Sequence, residues 1–257
     1  MKATLTVLGS GTSMGVPTIG CDCAVCHSSD PRDRRTRPSV LIEYAGRTVL
    51  IDTTPDFREQ AIRENIRSLD AVLYTHTHAD HILGIDDLRP LSFLHKPDRL
   101  PLYARQDAAE FIRNMFRYIF DADYKFGGLP HVELRTINGS LDLFGARFEP
   151  IVVIHGEAEI YGFRFGSGAY LTDHNDIPED SLSKLENLDV LFLDALRYKP
   201  HPTHSTVEHS LQTVARLKPR RAFFTHICHD LPHQETNAGL PENVKLSYDG
   251  MKLEFEI

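Results

Sequence analysis

Alternating apolar and polar residues predict β-strands in the first quarter of the chain. The segments with this pattern are 3–8, 40–44 and 48–51. Ala45-Gly46, typical of a tight turn, separates the last two segments, which are therefore expected to form an antiparallel hairpin. Helical spacing follows at 56–66, and the short apolar strand predicted at 70–74 ends directly before a group of histidines.

The segment 106–120 carries its large apolar residues on one helical stripe. These residues are Phe111, Ile112, Met115, Phe116, Ile119 and Phe120. The stripe predicts a helix packed on the core, with a share in a dimer interface or in a lid as the alternatives.

Strand and helix patterns also alternate in the second half of the chain. Strands are predicted at 146–154, 160–165, 168–171, 190–193 and 221–225, and helices at 181–186 and 206–217. The last two segments, 245–248 and 251–256, look like a second hairpin. Strand runs interleaved with helices in both halves predict an α/β fold with two sheets sandwiched by helices. Since no Pro/Gly/Ser-rich linker divides the sequence, a single domain over 1–257 is expected.

The chain has 257 residues and a formal net charge of −8. This charge disfavours a broad polyanion-binding surface, so a nucleic acid partner is not expected, whereas a small anionic substrate is easier to accommodate. The N-terminus lacks the pattern of a signal peptide, and no apolar run approaches membrane-spanning length. A cytoplasmic protein without a membrane partner is therefore expected.

The segment 75–81, Thr-His-Thr-His-Ala-Asp-His, is the strongest chemical signal in the sequence. Three imidazoles and a carboxylate within six residues are a poor choice for a packed core, because each buried polar ring needs a partner. Together they supply the nitrogen and oxygen donors that zinc and similar ions favour. The segment therefore predicts a metal site.

His76-x-His78-x-Asp80-His81 resembles the HxHxDH signature of the metallo-β-lactamase superfamily. The resemblance implies an αββα sandwich and a two-metal site with further ligands at later strand ends. The implied ligands are His76, His78 and His155 for one metal, Asp80, His81 and His226 for the second, and Asp173 as the bridging carboxylate. A redox diiron relative would carry Glu in place of His78. Two zinc ions, or manganese instead, are therefore expected to activate water for hydrolysis.

Cys21, Cys23 and Cys26 lie within six residues, a spacing that predicts a metal site rather than a disulfide framework. A tight loop with three thiols needs a fourth ligand to complete a tetrahedral zinc site. His229 is the preferred candidate, Cys228 is its rival, and His27 is weaker. This third metal ion is expected to be structural.

The CxCxxC loop that follows the glycine-rich segment 8–13 narrows the resemblance. The chain is similar to the phosphoribosyl 1,2-cyclic phosphate phosphodiesterases of phosphonate breakdown and, more distantly, to tRNA 3′-processing endonucleases. The closer family implies a homodimer. Pyrroloquinoline quinone biosynthesis relatives share the loop, so the cysteines alone do not name a substrate.

Asp80 and His204 are the predicted catalytic side chains. His204 corresponds to the family position that protonates the leaving oxygen or holds the phosphate, and the alternative is a loop residue before a helix capped by Thr203 or Ser205. Asp52 follows a strand and is a candidate hydrogen-bond acceptor for a ligand histidine, with a turn or cap role as the alternative. The basic run of Arg32, Arg34, Arg35 and Arg37 suits either phosphate contact or a solvated face.

The leading hypothesis is hydrolysis of a small cyclic phosphodiester by a hydroxide that bridges two metals. One alternative is a tRNA 3′-processing-type endoribonuclease, although the long flexible arm of that family has no counterpart in the sequence. The other is a non-catalytic metal-binding accessory protein, against which the complete ligand pattern speaks.

Overall fold

Two β-sheets form the middle of the computed structural model, which describes residues 1–121 and 127–257. In spatial order the first sheet contains β14 (Lys252–Glu256), β1 (Lys2–Gly9), β2 (Ser39–Tyr44), β3 (Arg47–Ile51), β4 (Ala71–Leu73), β5 (Leu100–Ala104) and β6 (Val132–Thr136). The strands from β14 to β3 pair antiparallel, and those from β3 to β6 pair parallel.

The second sheet repeats this alternation of strand directions. In spatial order it contains β7 (Leu141–Leu143), β8 (Ala146–His155), β9 (Ala158–Phe165), β10 (Gly168–Leu171), β11 (Val190–Asp194), β12 (Arg221–Thr225) and β13 (Val244–Leu246). The strands from β7 to β10 pair antiparallel, and those from β10 to β13 pair parallel. As a result β8, β10, β11 and β12 all end at the same edge of the sheet.

Helices cover the outer face of each sheet. They are α1 (Phe57–Arg63), α2 (Ala79–Ile82), α3 (Arg89–Ser92), α4 (Gln106–Met115), α5 (Arg117–Phe120), α6 (Glu179–Leu182), α7 (Val207–Leu217) and α8 (His233–Gly239). Short 3₁₀ turns lie at Pro31–Asp33, Ile85–Leu88, Phe93–His95 and Ser183–Leu185. Among the residues described, no helix is both long enough and apolar enough to cross a membrane.

Buried apolar side chains fall into three layers that match this arrangement. Between the sheets, Leu5 of the first sheet belongs to the same cluster as Phe163 of the second. A second layer joins the second sheet to α7, and a third joins the first sheet to α1 and α4. The layering is the predicted αββα sandwich.

The hairpin predicted near the N-terminus is confirmed. Strands β2 and β3 pair through the turn at Ala45 (φ 47°) and Gly46 (φ 71°), and two consecutive positive φ angles are typical of a type I′ turn.

Several sequence predictions need correction. The segments 245–248 and 251–256 do not pair with each other, because β13 adds to β12 in the second sheet and β14 adds to β1 in the first. The helix predicted at 106–120 is interrupted at Phe116, whose ψ of 38° ends α4 before α5 begins. The helix predicted at 181–186 is a single turn of α6 followed by a 3₁₀ turn. Strands β5, β6 and β7 and helix α8 were not predicted.

Arg35 ties the loop before β2 to the chain that follows β12. Its guanidinium is fully buried, pairs with Asp33 at 2.9 Å, and donates hydrogen bonds to the carbonyl oxygens of Cys228 (2.8 Å) and Leu231 (2.6 Å). Burial lowers the pKa of Arg35, and the Asp33 carboxylate opposes this shift. The function of Arg35 is therefore to hold the interior together rather than to contact a phosphate.

Arg35→Met is expected to lower the free energy of unfolding by about 3–5 kcal/mol, because it leaves a buried carboxylate and two carbonyl oxygens without their donor. Urea unfolding at neutral pH measures this loss. Arg34→Met is the matched control, since Arg34 is exposed, and it should change stability by less than about 0.5 kcal/mol. Equal stability of the two variants would contradict the assigned role of Arg35.

Candidate metal centre and active site

The predicted ligand residues lie at strand ends on one edge of the sandwich. Strand β4 leads through Tyr74 and Thr75 into the histidine segment, whereas His155 is the last residue of β8. Asp173 lies two residues beyond β10, and His226 directly follows β12. Since β8, β10 and β12 share one direction, their ends bring these side chains together opposite the histidines of the first sheet.

His76, His78 and His155 form the first group of donors. His78 Nδ1 lies 3.0 Å from His76 Nε2 and 3.2 Å from His155 Nε2. Nitrogen ligands of a tetrahedral zinc ion, at about 2.0–2.1 Å from the metal, are about 3.3 Å apart. The three nitrogens thus have the spacing of a metal site.

Asp80, His81, Asp173 and His226 form the second group, and all four are buried. His81 Nε2 is 3.3 Å from both Asp80 Oδ2 and Asp173 Oδ1, and His226 Nε2 is 3.1 Å from Asp173 Oδ2. Asp173 Oδ2 also lies 4.0 Å from His76 Nε2 in the first group. Asp173 therefore lies between the two groups, where a bridging carboxylate belongs.

Several buried atoms of the second group lack a hydrogen-bond partner within the described part of the chain. They are Asp80 Oδ2, His81 Nε2 and both ring nitrogens of His226. Buried polar atoms left unpaired are costly. Asp80 Oδ2 lies 3.3 Å from His81 Nε2 and 3.6 Å from His226 Nε2, so these three atoms converge. Divalent metal ions fit this donor set better than protons do.

In the chain alone, the carboxylates and imidazoles of the second group stabilise each other's charged forms. Burial tends to raise the pKa of Asp173, but the charges of His226 and His81 hold that pKa well below its usual range. Burial tends to lower the pKa of His226, but Asp173 and Asp80 raise it to about 10. Metal ions thus displace protons when they bind at this centre.

Hydrogen bonds of the Nδ1 atoms fix the orientation of the His81 and His155 rings. His81 Nδ1 lies 2.7 Å from Asp52 Oδ2, and Asp52 also accepts hydrogen bonds from the amide and hydroxyl of Thr75, each at 2.8 Å. His155 Nδ1 donates to the carbonyl oxygen of Thr203 at 2.8 Å. Each contact leaves the Nε2 atom free to face the donor group. Asp52 is thus the acceptor for His81, and the cap position of the following helix α1 belongs to Asp56.

Three residues of this centre adopt left-handed backbone conformations: Asp52 (φ 65°), Asp173 (φ 55°) and His226 (φ 57°). Such conformations are uncommon for residues other than glycine, and cost on the order of 1–3 kcal/mol each. Each of these residues follows a strand and turns its side chain toward the centre. The strain is located where the donors converge.

His204 lies beside both donor groups. Its ring centroid is 4.8 Å from that of His155 and 4.4 Å from that of His226, with which it stacks. His204 Nδ1 lies 2.7 Å from Asp194 Oδ2, whose side chain is fully buried. As the helix cap is Thr206, the alternative of a plain loop position before a cap at Thr203 or Ser205 is not supported.

Cys21, Cys23 and Cys26 surround one ring nitrogen of His229. The distances from His229 Nδ1 to the three Sγ atoms are 3.2, 3.6 and 3.4 Å, respectively. Tetrahedral zinc, with Zn–S of about 2.3 Å and Zn–N of about 2.0 Å, places such atoms about 3.5 Å apart. The geometry favours His229 over its rivals.

The rival candidates have other contacts. Cys228 Sγ accepts a hydrogen bond from the Asp230 amide at 3.4 Å, and the exposed His27 pairs with Asp22 at 3.4 Å.

Sequence reasoning gave too little weight to some residues of the centre. Asp194 ends β11 just as His155 ends β8, so its position at a strand end was a usable signal. The contact of Thr203 is made by its backbone oxygen, which no residue pattern reveals. Ser13 lines the same cavity as the ligands and belongs to the glycine-rich segment 8–13.

Residues 47–227 match the family model described as a beta-lactamase superfamily domain. A crystal structure described as a new diphosphatase from the PhnP family is 59% identical to the chain, with a TM-score of 0.94 over 99% of this chain and 98% of that one. The chain therefore belongs to the PhnP family of the β-lactamase superfamily. The family resemblance and the predicted fold are thereby confirmed, and the fold is that of metal-dependent hydrolases.

Two curated relatives are similar over part of their length. An octanoyltransferase of Porphyromonas gingivalis is 40% identical over 251 residues, which are 96% of this chain and 50% of that protein. A ribonuclease Z of Bradyrhizobium diazoefficiens is 29% identical over 148 residues, 55% of this chain and 48% of that protein. The chain thus spans about half the length of these relatives.

Cys23→Ser is expected to lower the bound metal by about one equivalent and the melting temperature by about 10 °C, because metal binding at this loop contributes directly to folding. Molecules that stay folded should keep most of their hydrolytic activity. Metal analysis and thermal unfolding of the purified protein measure both effects. Cys228→Ala, which removes a thiol outside the group, is the control and should keep its metal. A Cys23→Ser variant with full stability but no activity would contradict the structural role.

Proposed function

We propose that the chain is a metal-dependent phosphodiesterase that hydrolyses a small phosphodiester, with a phosphoribosyl-type cyclic phosphate as the preferred substrate class. The observation that carries this proposal is the carboxylate of Asp173 between two donor groups, next to the His204–Asp194 pair. The centre opens into a cavity of about 750 Å³, large enough for a small substrate.

In this proposal, the first donor group holds one divalent ion and the second group holds another, with zinc preferred over manganese because most donors are imidazole nitrogens. Such ions would neutralise charge at a phosphoryl group and lower the pKa of a water molecule. A third, structural zinc is assigned to the cysteine loop and His229.

His204 is proposed as the general acid. With Nδ1 held by Asp194, its Nε2 can carry a proton toward the cavity that His204 lines. When the ester bond breaks, the departing alkoxide takes this proton and leaves as an alcohol. The buried Asp194 carboxylate then stabilises the ring in its correct orientation. Asp80 lines the same cavity and is proposed to help orient the attacking water.

The size and charge of the substrate follow from electrostatics. The net charge of −8 repels long polyanions, whereas one phosphodiester at the centre meets a dense set of histidines. A strained five-membered cyclic phosphate is small enough to reach this centre without an RNA-binding arm. A processing endonuclease acting on tRNA is therefore the less favoured function.

A diphosphate ester is the second candidate substrate, because the crystal structure at 59% identity is described as that of a diphosphatase. Breakage of a P–O–P bond releases a phosphate group, which needs far less protonation than an alkoxide. The same centre serves both reactions, but only the phosphodiester reaction depends strongly on His204.

A homodimer, which the family resemblance implies, and a cytoplasmic location complete the proposal. The cytoplasm is proposed because the closely spaced thiols suit a reducing compartment.

Purified protein should hydrolyse a ribose 1,2-cyclic phosphate with a higher kcat/KM than a 2′,3′-cyclic nucleotide, and both with a higher kcat/KM than a tRNA precursor. Activity should disappear with chelator and return with zinc or manganese. Preference for the tRNA precursor would favour the endonuclease. No turnover of any phosphorus ester, with both metals bound, would favour a non-catalytic accessory protein.

His204→Ala should lower kcat for an alkyl phosphodiester by about 10²–10⁴-fold, because the alkoxide then leaves without its acid. A p-nitrophenyl ester, whose leaving group scarcely needs a proton, should lose less than about 10-fold. The comparison uses steady-state kinetics of both esters. His209→Ala, which changes an exposed histidine of α7, is the control. An equal loss on both esters would remove His204 from the role of general acid.

A further inference from the structure

Thr172 lies between the end of β10 and Asp173, and its side chain is completely buried. Its hydroxyl group is hydrogen bonded to Asp173 Oδ1. Since an ionised carboxylate can only accept hydrogen bonds, the hydroxyl is the donor. A hydrogen bond to a charged group is roughly twice as strong as one between neutral groups, so this contact can hold the carboxylate in one orientation.

The two carboxylate oxygens of Asp173 have different surroundings. Oδ2 lies 3.1 Å from His226 Nε2 of the second donor group and 4.0 Å from His76 Nε2 of the first. Oδ1 instead lies 3.3 Å from His81 Nε2 of the second group and accepts the hydrogen bond from Thr172. Oδ2 is therefore the oxygen that faces both groups, whereas Oδ1 is shared between one group and Thr172.

The backbone of Asp173 does not by itself fix the plane of the carboxylate. Rotation about the Cβ–Cγ bond is weakly restricted, because the preferences of this torsion are broad and roughly two-fold. A rotation that turned both oxygens toward the donor groups would take Oδ1 away from Thr172 and leave a buried hydroxyl unpaired, which is costly. The hydroxyl thus favours the orientation in which one oxygen faces both groups.

Thr225 offers a comparison within the same chain. It directly precedes His226 at the end of β12, just as Thr172 precedes Asp173 after β10, and its side chain is also completely buried. Thr225 Oγ1, however, has no hydrogen-bond partner among residues 1–121 and 127–257. The contact made by Thr172 is therefore not a general consequence of a buried threonine beside a ligand residue.

We propose that Thr172 is a positioning residue, whose hydroxyl holds the Asp173 carboxylate in the orientation that presents one oxygen, Oδ2, to both metal ions. This inference rests on the proposed function, because it requires a metal ion at each donor group. Without the hydroxyl the carboxylate can turn, so part of the free energy of metal binding is used to restore its orientation.

The test starts from protein loaded with Mn²⁺ at the two donor groups and zinc in the cysteine loop, and measures both Mn²⁺ dissociation constants by competition with a chelator of known affinity. Thr172→Val removes the hydroxyl with little change in shape and should weaken binding of the weaker Mn²⁺ by about 10–100-fold. Thr172→Ala, a second variant without a hydroxyl, should show the same loss. Thr172→Ser retains a hydroxyl and should stay within about 3-fold of the wild type. Thr225→Val is the matched control and should bind both ions as the wild type does.

Equal Mn²⁺ affinities of Thr172→Val and Thr225→Val would overturn the positioning role and leave the two-metal centre of the proposed function intact. An equal loss in Thr172→Ser and Thr172→Val would also overturn it, because packing rather than the hydroxyl would then be responsible. Wild-type protein that holds metal only in the cysteine loop would instead contradict the proposed function.

Discussion

Asp173 is the carboxylate that joins the two halves of the sandwich. It is buried, follows a strand of the second sheet, and faces His76 of the first sheet at 4.0 Å and His226 of its own sheet at 3.1 Å. Its left-handed backbone directs the side chain into this position. In the proposed two-metal centre, this shared carboxylate would fix the distance between the two sites.

The surrounding structure stabilises this arrangement at several levels. Parallel strands bring the ends of β8, β10 and β12 to one edge. Asp52 and Thr203 then fix the rings of His81 and His155 through their Nδ1 atoms. Arg35 and the cysteine loop both hold the segment of chain that follows Ile227. The free energy of folding thus offsets the strain and the unpaired polar atoms of the centre.

Sequence alone predicts much of this molecule where the chemistry is dense in one segment. The segment 75–81 could be identified because imidazoles and carboxylates directly after an apolar strand are costly to bury unless they bind something. The histidine at the end of β8 was implied by the family resemblance. The partner of the cysteine loop could be named because His229 lies close to His226 along the chain. Short strands such as β7 could not be predicted, because a segment of three residues carries too little periodicity.

Other features depend on tertiary structure. The pairing of β13 and β14 with different sheets follows from contacts of the connecting turn, in which Asp249 accepts hydrogen bonds from Ser10 and Thr36. No local pattern distinguishes this crossing from a hairpin. The same holds for the pairing of His204 with Asp194, since this pairing depends on the tertiary structure.

The most direct measurement is the metal content and turnover of Asp173→Ala. Loss of the shared carboxylate should lower the metal bound at the two donor groups and reduce kcat on bis-p-nitrophenyl phosphate by orders of magnitude, while the far-UV circular dichroism and the cysteine-loop metal stay unchanged. A variant with near wild-type turnover would contradict a centre in which one carboxylate serves two metal ions.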